Sequence, residues 1–377
     1  MSNAQSQRQS QGASSSSKAW SSGLEDVVAA GTRLSSVDGD AGLLLIGGVS
    51  LDDLAGVPFV DVAALLQARA SGDGPPLVDP SFAARLQTAR RSAWGRWRDH
   101  EAVLRLRDPM DALRAGLGFV DDDDDDAPAL IGSAHALVAA WIAHRSPGTI
   151  DDDDDDDVSA GAWLLRRAVG ERSPAFGAAL DRYLTTVSDH GMNASTFTAR
   201  VVASTGASRV SCLAAAVGAL SGPLHGGAPG PVLDLLDLVR ARAAADQLDD
   251  DVAAGTVVDD ELGAGRRLMG FGHRVYRVRD PRAAVLEATV AALSSPRLKL
   301  ARVVEGVATA RLAALHPERP LRANVEFFTA VLLDAIGLPR SAFAAIFAAA
   351  RVAGWCAHVV EQRRTGKLIR PRSAWIP

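Results

Sequence analysis

Residues 269–282 read MGFGHRVYRVRDPR, with Gly270 and Gly272 on either side of Phe271, then His273, then Arg274, Arg277, Arg279 and Arg282. Glycine admits backbone angles and close approaches that a side chain would block. Guanidinium forks suit carboxylates and phosphates. The stretch is expected to bind an anion with a histidine at its mouth, although a basic turn facing water would have the same composition. A second histidine, His225, occupies another glycine-rich turn, GPLHGGAPG (222–230). His190 and Asn193 lie in SDHGMNASTFTAR (188–200), a polar segment ahead of an expected helix. Glu326 in NVEFF adds a carboxylate, and Arg370 in KLIRP adds another guanidinium. One histidine in a turn is more often structural than catalytic. Two of them, with an acid and arginines at 282, 351 and 370, point to acid–base chemistry on an anionic substrate.

Helices must position these residues. Alanine is abundant, β-branched alternation is scarce, and apolar residues recur at helical spacing. RVSCLAAAVGALSG (209–222) predicts a helix ending at Gly222-Pro223, and PGPVLDLLDLVRARAAADQL (229–248) predicts one opening on proline. The two flank the His225 turn. LLLIGGVSLDDLAG (43–56) predicts the one hairpin, so the fold class is all-α with a short N-terminal β-hairpin. SAFAAIFAAARVAGWCAHVV (341–360) has the length of a bilayer span but contains Arg351 and His358. A helix apolar on every face is expected in the core of a large protein. A guanidinium inside it must meet a carboxylate or a bound anion, because burying it unpaired costs several kcal/mol. Asp334 is the structural candidate for that partner.

At 377 residues, one large core or two smaller ones are expected. An apolar share of 47% and a charged share of 23% fit an ordinary soluble protein. Cys212 and Cys356 are too few and too far apart for a disulfide framework or a cysteine zinc site, which favours a reducing, cytoplasmic setting. The opening residues are Ser/Gln-rich without an apolar core, so 1–22 are expected to be a disordered tail rather than a signal or anchor. The runs Asp121–Asp126 and Asp151–Asp157 dominate the net charge of −5, and without them the balance would be +8. They lack the glycine and spaced glutamate of a calcium loop and are expected to be solvated insertions; no metal site is expected. Few aromatics and no basic helix stripe argue against nucleic acid as a partner.

The motifs GPLHGGA, MGFGHRVY…DPR, NVEF, GWCAHVVEQ, IRP and DHGMNASTFTARVVASTGA occur together in an order that resembles the citrate synthase family. The wording is most similar to the second citrate synthase and 2-methylcitrate synthase group. The resemblance runs from about Gly23 to the C-terminus and is weakest between 115 and 160. It implies a two-domain helical fold, with a small domain (227–337) inserted between two parts of a large one (23–226 and 338–377). It also implies a homodimer, no membrane, no cofactor, and condensation of acetyl-CoA with oxaloacetate to citrate and CoA. On this resemblance Glu326 is the base, His225 donates to the thioester oxygen, and His273 polarises the oxaloacetate carbonyl. His190, Arg282, Arg351 and a cross-subunit Arg370 hold oxaloacetate, with Asn193 nearby. Leu268, Met269, Gly270, Phe271 and Gly272 lie along CoA, and Arg277 meets its phosphate; Arg274 and Arg279 receive no role. Two positions depart from the pattern. Glu326 stands where the family usually has Asp, and Gly47-Gly48 stands where it usually has Arg-Gly. The alternatives are a 2-methylcitrate synthase using propionyl-CoA and a catalytically silent member that binds CoA or a dicarboxylate.

Overall fold

The computed structural model describes residues 23–24, 27–72, 79–120, 126–146, 159–226, 229–319, 321–373 and 375. By internal contacts the chain divides into Met1–Thr32 and Arg33–Pro377, and the regular elements among the described residues lie in the second unit. The expected tail at 1–22 and the aspartates at 121–125 and 151–157 lie outside the described residues.

Three short antiparallel strands, β1 (Ser35–Asp38), β2 (Leu43–Ile46) and β3 (Val49–Ser50), pair in the order β1-β2-β3. The expected hairpin is β2–β3, turning through Gly47 and Gly48 at φ +60° and +82°, angles that suit glycine. Strand β1 was not expected, because SSVD is too short and polar to carry an alternating signal.

The remaining elements are helices: α1 (Leu51–Leu54), α2 (Phe59–Ser71), α3 (Phe82–Trp97), α4 (Glu101–Leu104), α5 (Pro109–Leu117), α6 (Ala127–Ala143), α7 (Ala160–Val169) and α8 (Pro174–Val187). They continue with α9 (Ala194–Ala203), α10 (Arg209–Leu220), α11 (Pro229–Asp246), α12 (Asp250–Gly263), α13 (Pro281–Ala292), α14 (Arg297–Leu315), α15 (Val325–Ala335) and α16 (Phe343–Thr365). Their starts are written locally. Asn193, Asp280 and Asn324 each cap a helix by accepting a backbone N–H from its first turn, and these three helices carry or adjoin the candidate site. Asp126 does the same for α6 through Ala129 N–H and pairs with Arg85, so the last residue of the first aspartate run is part of the fold rather than a solvated insertion.

Helix α16 is the axis of the packing. It contacts α2, α5, α6, α8, α9 and α10, while α11–α15 pack chiefly among themselves and meet the rest through α1, α8 and α16. The segment Arg340–Arg364 is long and apolar enough to cross a bilayer, yet 83% of its apolar window is buried in this fold, as expected of a core helix.

Candidate active site

Three loops bring the histidines together. Gly191 N–H donates to Ser35 Oγ at 2.7 Å, and Asn193 Nδ2 donates to the His190 carbonyl at 3.2 Å, which fixes the turn before α9. The second loop is zipped to the strand-like segment before α15. Gly272 N–H donates to Arg322 O (2.8 Å), Asn324 N–H to Gly270 O (2.9 Å), and Asn324 Nδ2 to Gly272 O (2.9 Å). Gly270 and Gly272 both sit at φ +83°, and a Cβ at Gly270 would lie 2.8 Å from Val232. Phe271 points inward onto Phe327, with ring centroids 5.2 Å apart, so the outward face of this turn is backbone. The turn between β1 and β2 braces the next residues: Arg277 N–H donates to Gly39 O at 2.9 Å.

Backbone donors fix the ring proton of His273 and of His225. His273 Nδ1 accepts the N–H groups of Val275 (3.0 Å) and Tyr276 (3.1 Å), which leaves the ring proton on Nε2, 3.4 Å from Arg282 Nη2. Two donors side by side at that distance can converge on one acceptor lying to the side of both. His225 Nε2 accepts Ser195 N–H at 3.2 Å and lies 2.9 Å from Ser195 Oγ, so its proton resides on Nδ1. Burial, then the charge of nearby arginines, pushes both rings down to about 4 and keeps them neutral. His190 is buried, 3.1 Å from the Tyr276 hydroxyl and 5.4 Å ring to ring from His273, and the same causes hold it well below the usual histidine range.

Of the charged groups, Asp280, Arg282 and Arg351 are buried and Glu326 is half-buried. Asp280 binds Arg282 through Nε (3.0 Å) and Nη2 (2.7 Å), and also accepts Val325 N–H at 3.1 Å, which ties the starts of α13 and α15 together. Arg351 donates through Nε to Val187 O at 2.7 Å, lies 4.7 Å over Phe347, and leaves Nη2 without a partner. Burial lowers its pKa to about 10, opposed by the charge of Asp189. Asp334 is not its partner: that carboxylate pairs with Arg297 at 2.7 Å. Glu326, in the first turn of α15, has no hydrogen bond to its carboxyl among the described residues. Burial pushes its pKa up to about 7, with Arg282 and Arg267 opposing. Glu326 senses Arg282, Arg282 senses Arg351, and Arg351 senses His225, so one electrostatic neighbourhood holds all four.

Other expected residues fall elsewhere. Arg370 is exposed, on a segment pinned by Ile369 N–H to Ser204 Oγ at 3.0 Å, and makes no ion pair among the described residues. The Arg277 side chain is exposed, Leu268 is buried and Met269 half-buried. Arg279, left without a role, bridges Glu287 (2.7 Å) and Glu305 (2.8 Å) and is a structural clamp. Ser195, Tyr276 and Asp280 were not foreseen as site residues. Asp280 had a readable signal, an acidic cap before proline, whereas Ser195 and Tyr276 are recognisable only by what they touch. No group of three or more His, Cys, Asp or Glu among the described residues is placed to hold a metal.

These groups can bind a dianion between two arginines and neutral imidazoles, beside a carboxyl able to take a proton near pH 7. Known proteins resemble the chain over most of its length. The family model described as "Citrate synthase, C-terminal domain" matches residues 23–372. A Mycobacterium tuberculosis protein bearing a citrate synthase 2 name is 39% identical, over 94% of this chain and 92% of its own. The 2-methylcitrate synthase of Shewanella oneidensis is 30% identical, over 96% of both. The Thermoplasma acidophilum citrate synthase, solved as a ternary complex with carboxymethyl coenzyme A and oxaloacetate, superposes with a TM-score of 0.75. It is 26% identical, over 94% of this chain and 95% of that one. The chain belongs to the citrate synthase family of acyltransferases.

Proposed function

We propose that this chain condenses acetyl-CoA with oxaloacetate to give citrate and CoA. The observation that carries the reading is the combination of a half-buried carboxyl, Glu326, shifted up to about 7, and a neutral His225 whose proton is on Nδ1. Glu326 removes a proton from the thioester methyl group, and the Nδ1–H of His225 donates to the enolate oxygen that forms. The enolate carbon attacks the oxaloacetate carbonyl, polarised by the Nε2–H of His273. Water then cleaves the thioester and releases CoA. Arg282, Arg351 and His190 receive the oxaloacetate carboxylates, with Asn193 holding the His190 turn. In this reading Arg370 completes the site of the partner in a homodimer, which accords with its exposure in the single chain. CoA lies along the backbone of 268–272, with Arg277 at a phosphate. The closing cleft lies between a small domain at 227–337 and the rest, a division supported by the mutual packing of α11–α15. Two buried cysteines outside any disulfide, Cys212 and Cys356, accord with a reducing, cytoplasmic setting.

A second reading, 2-methylcitrate synthesis from propionyl-CoA, is favoured by the likeness to the Shewanella oneidensis enzyme. One methylene in an apolar pocket is worth only about 1–3 kcal/mol, so both acyl groups are expected to react. Thiol release from acetyl-CoA and from propionyl-CoA, each with oxaloacetate, tests both readings. Release with neither, alongside retained oxaloacetate binding, would leave a silent binding protein.

A further inference from the structure

Helix α16 presents Arg351, Gly354, His358, Glu361 and Gln362 at helical spacing toward the segment 187–190 and toward Arg200. The approach is close: a Cβ at Gly354 would lie 2.5 Å from Ser188 O and 2.7 Å from Asp189 Oδ1. His358 and Asp189 are fully buried, as is Arg200. Arg200 Nη1 meets Glu361 Oε2 at 2.6 Å and His358 Nδ1 at 3.0 Å, while Arg200 Nε donates to Gln362 Oε1 at 3.0 Å. A guanidinium has no lone pair to offer, so His358 Nδ1 must be the acceptor and the ring proton must sit on Nε2. That nitrogen stands 3.3 Å from both carboxylate oxygens of Asp189. Asp189 is in turn the carboxylate whose charge supports Arg351, and it directly precedes His190.

We infer that His358 is a positioning residue for the oxaloacetate site, an inference that rests on the function proposed above. Its single N–H reaches the Asp189 carboxylate and so holds the segment 187–190, which carries His190 and whose Val187 carbonyl accepts Arg351 Nε. Arg351 Nη2 is left unpartnered and available to a substrate carboxylate. Without that N–H, the fully buried Asp189 loses a donor one residue before His190, and the segment that sets His190 and Arg351 must shift. Arg200 sets the orientation of the ring, because its charge excludes a proton from Nδ1.

Two substitutions separate this role from packing. In His358→Gln the amide reaches the position of Nε2 and can still donate to Asp189. In His358→Asn the shorter amide reaches only the position of Nδ1, so it can accept from Arg200 but not donate to Asp189. Oxaloacetate affinity is measured by calorimetry on the full chain without CoA, and kcat and KM by thiol release. The Gln variant should stay within about threefold of wild type in both. The Asn variant should lose about ten- to hundredfold in oxaloacetate affinity and KM, with kcat at saturation far less affected, as for loss of a hydrogen bond to a charged group. Equal losses in both variants, or none in Asn, would overturn the inference while leaving the function intact. Failure of the wild type to bind oxaloacetate would overturn both. Should the Asn variant not fold, nitrogen NMR of the wild-type ring decides: a proton on Nε2 is expected, and a proton on Nδ1 overturns the inference.

Discussion

Glu326 and the histidines are shifted in opposite senses by the same cause. Burial disfavours the charged form of each, raising the carboxylic acid to about 7 and lowering His225 and His273 to about 4. Between those values the rings are already neutral donors while the acid is still protonated. The rising limb of kcat/KM between about 4 and 7 therefore belongs to Glu326 alone, about tenfold per pH unit, followed by a plateau that ends where Arg351 loses its proton near 10. Glu326→Gln should abolish that limb and lower kcat by about 10²–10⁴-fold while oxaloacetate binding persists. A Gln variant with wild-type turnover would remove Glu326 from the mechanism. The stability signs follow separately. The histidines bind protons more readily unfolded, so their stabilising contribution is complete above the ordinary histidine value of 6.5 and is lost as pH falls toward 4. Glu326 acts the other way. Its contribution is present below 4.5 and lost as pH rises through 7.

The helix starts carry much of the site, because a cap residue is both a terminator of disorder and a fixed point. Asp280 is the strongest case: one carboxylate caps α13, clamps Arg282 and accepts the Val325 N–H at the start of α15. Asp280→Ala leaves Arg282 charged, buried and without its bidentate partner, and should cost about 3–5 kcal/mol in a denaturant unfolding experiment. Its effect on oxaloacetate KM should exceed its effect on acyl-CoA KM, since Arg282 faces the former in the proposed mechanism. Asp126 offers a milder contrast. As the N-cap of α6, its replacement by Ala should cost about 1 kcal/mol. Replacing 121–125 and 151–157 with Gly/Ser should leave kcat and both KM values within about twofold, since no proposed site residue lies in either run. A loss of activity restored by calcium would return those runs to the list of metal ligands.

At the scale of the whole molecule, the exposure of Arg370 against the burial of His190, Arg282 and Arg351 separates one group from the set. If Arg370 serves the partner's site while Glu326 serves its own, each of Glu326→Gln and Arg370→Ala should be nearly inactive alone. Unfolding and refolding the two together makes about half of the dimers mixed. In each mixed dimer one site collects both defects and the other neither, so activity should return to roughly a quarter of wild type. No recovery, with mixed dimers verified by differential tags, would confine Arg370 to its own chain or exclude it from the site.

The amino-acid sequence alone determined the helices and the chemistry-bearing loops. Helical periodicity, capping residues and the glycine pairs act within a few residues, so 209–222, 229–248 and the turns of His225 and His273 were all readable. So was the buried character of 341–360, since a helix apolar on every face has no side to give to water. Which polar groups meet across the core was not readable. Arg351 could equally have met Asp334 by composition, yet Asp334 went to Arg297 and Arg351 to the Val187 carbonyl, a choice made where α16 crosses the end of α8. Ser195 gains its place only because its N–H reaches His225, and His358 only because Arg200 and Asp189 close on it from opposite sides. Local periodicity fixes which residues face inward. Partner, proton position and charge state are set by groups far apart in the chain, and only the packed helices bring those groups within hydrogen-bonding distance.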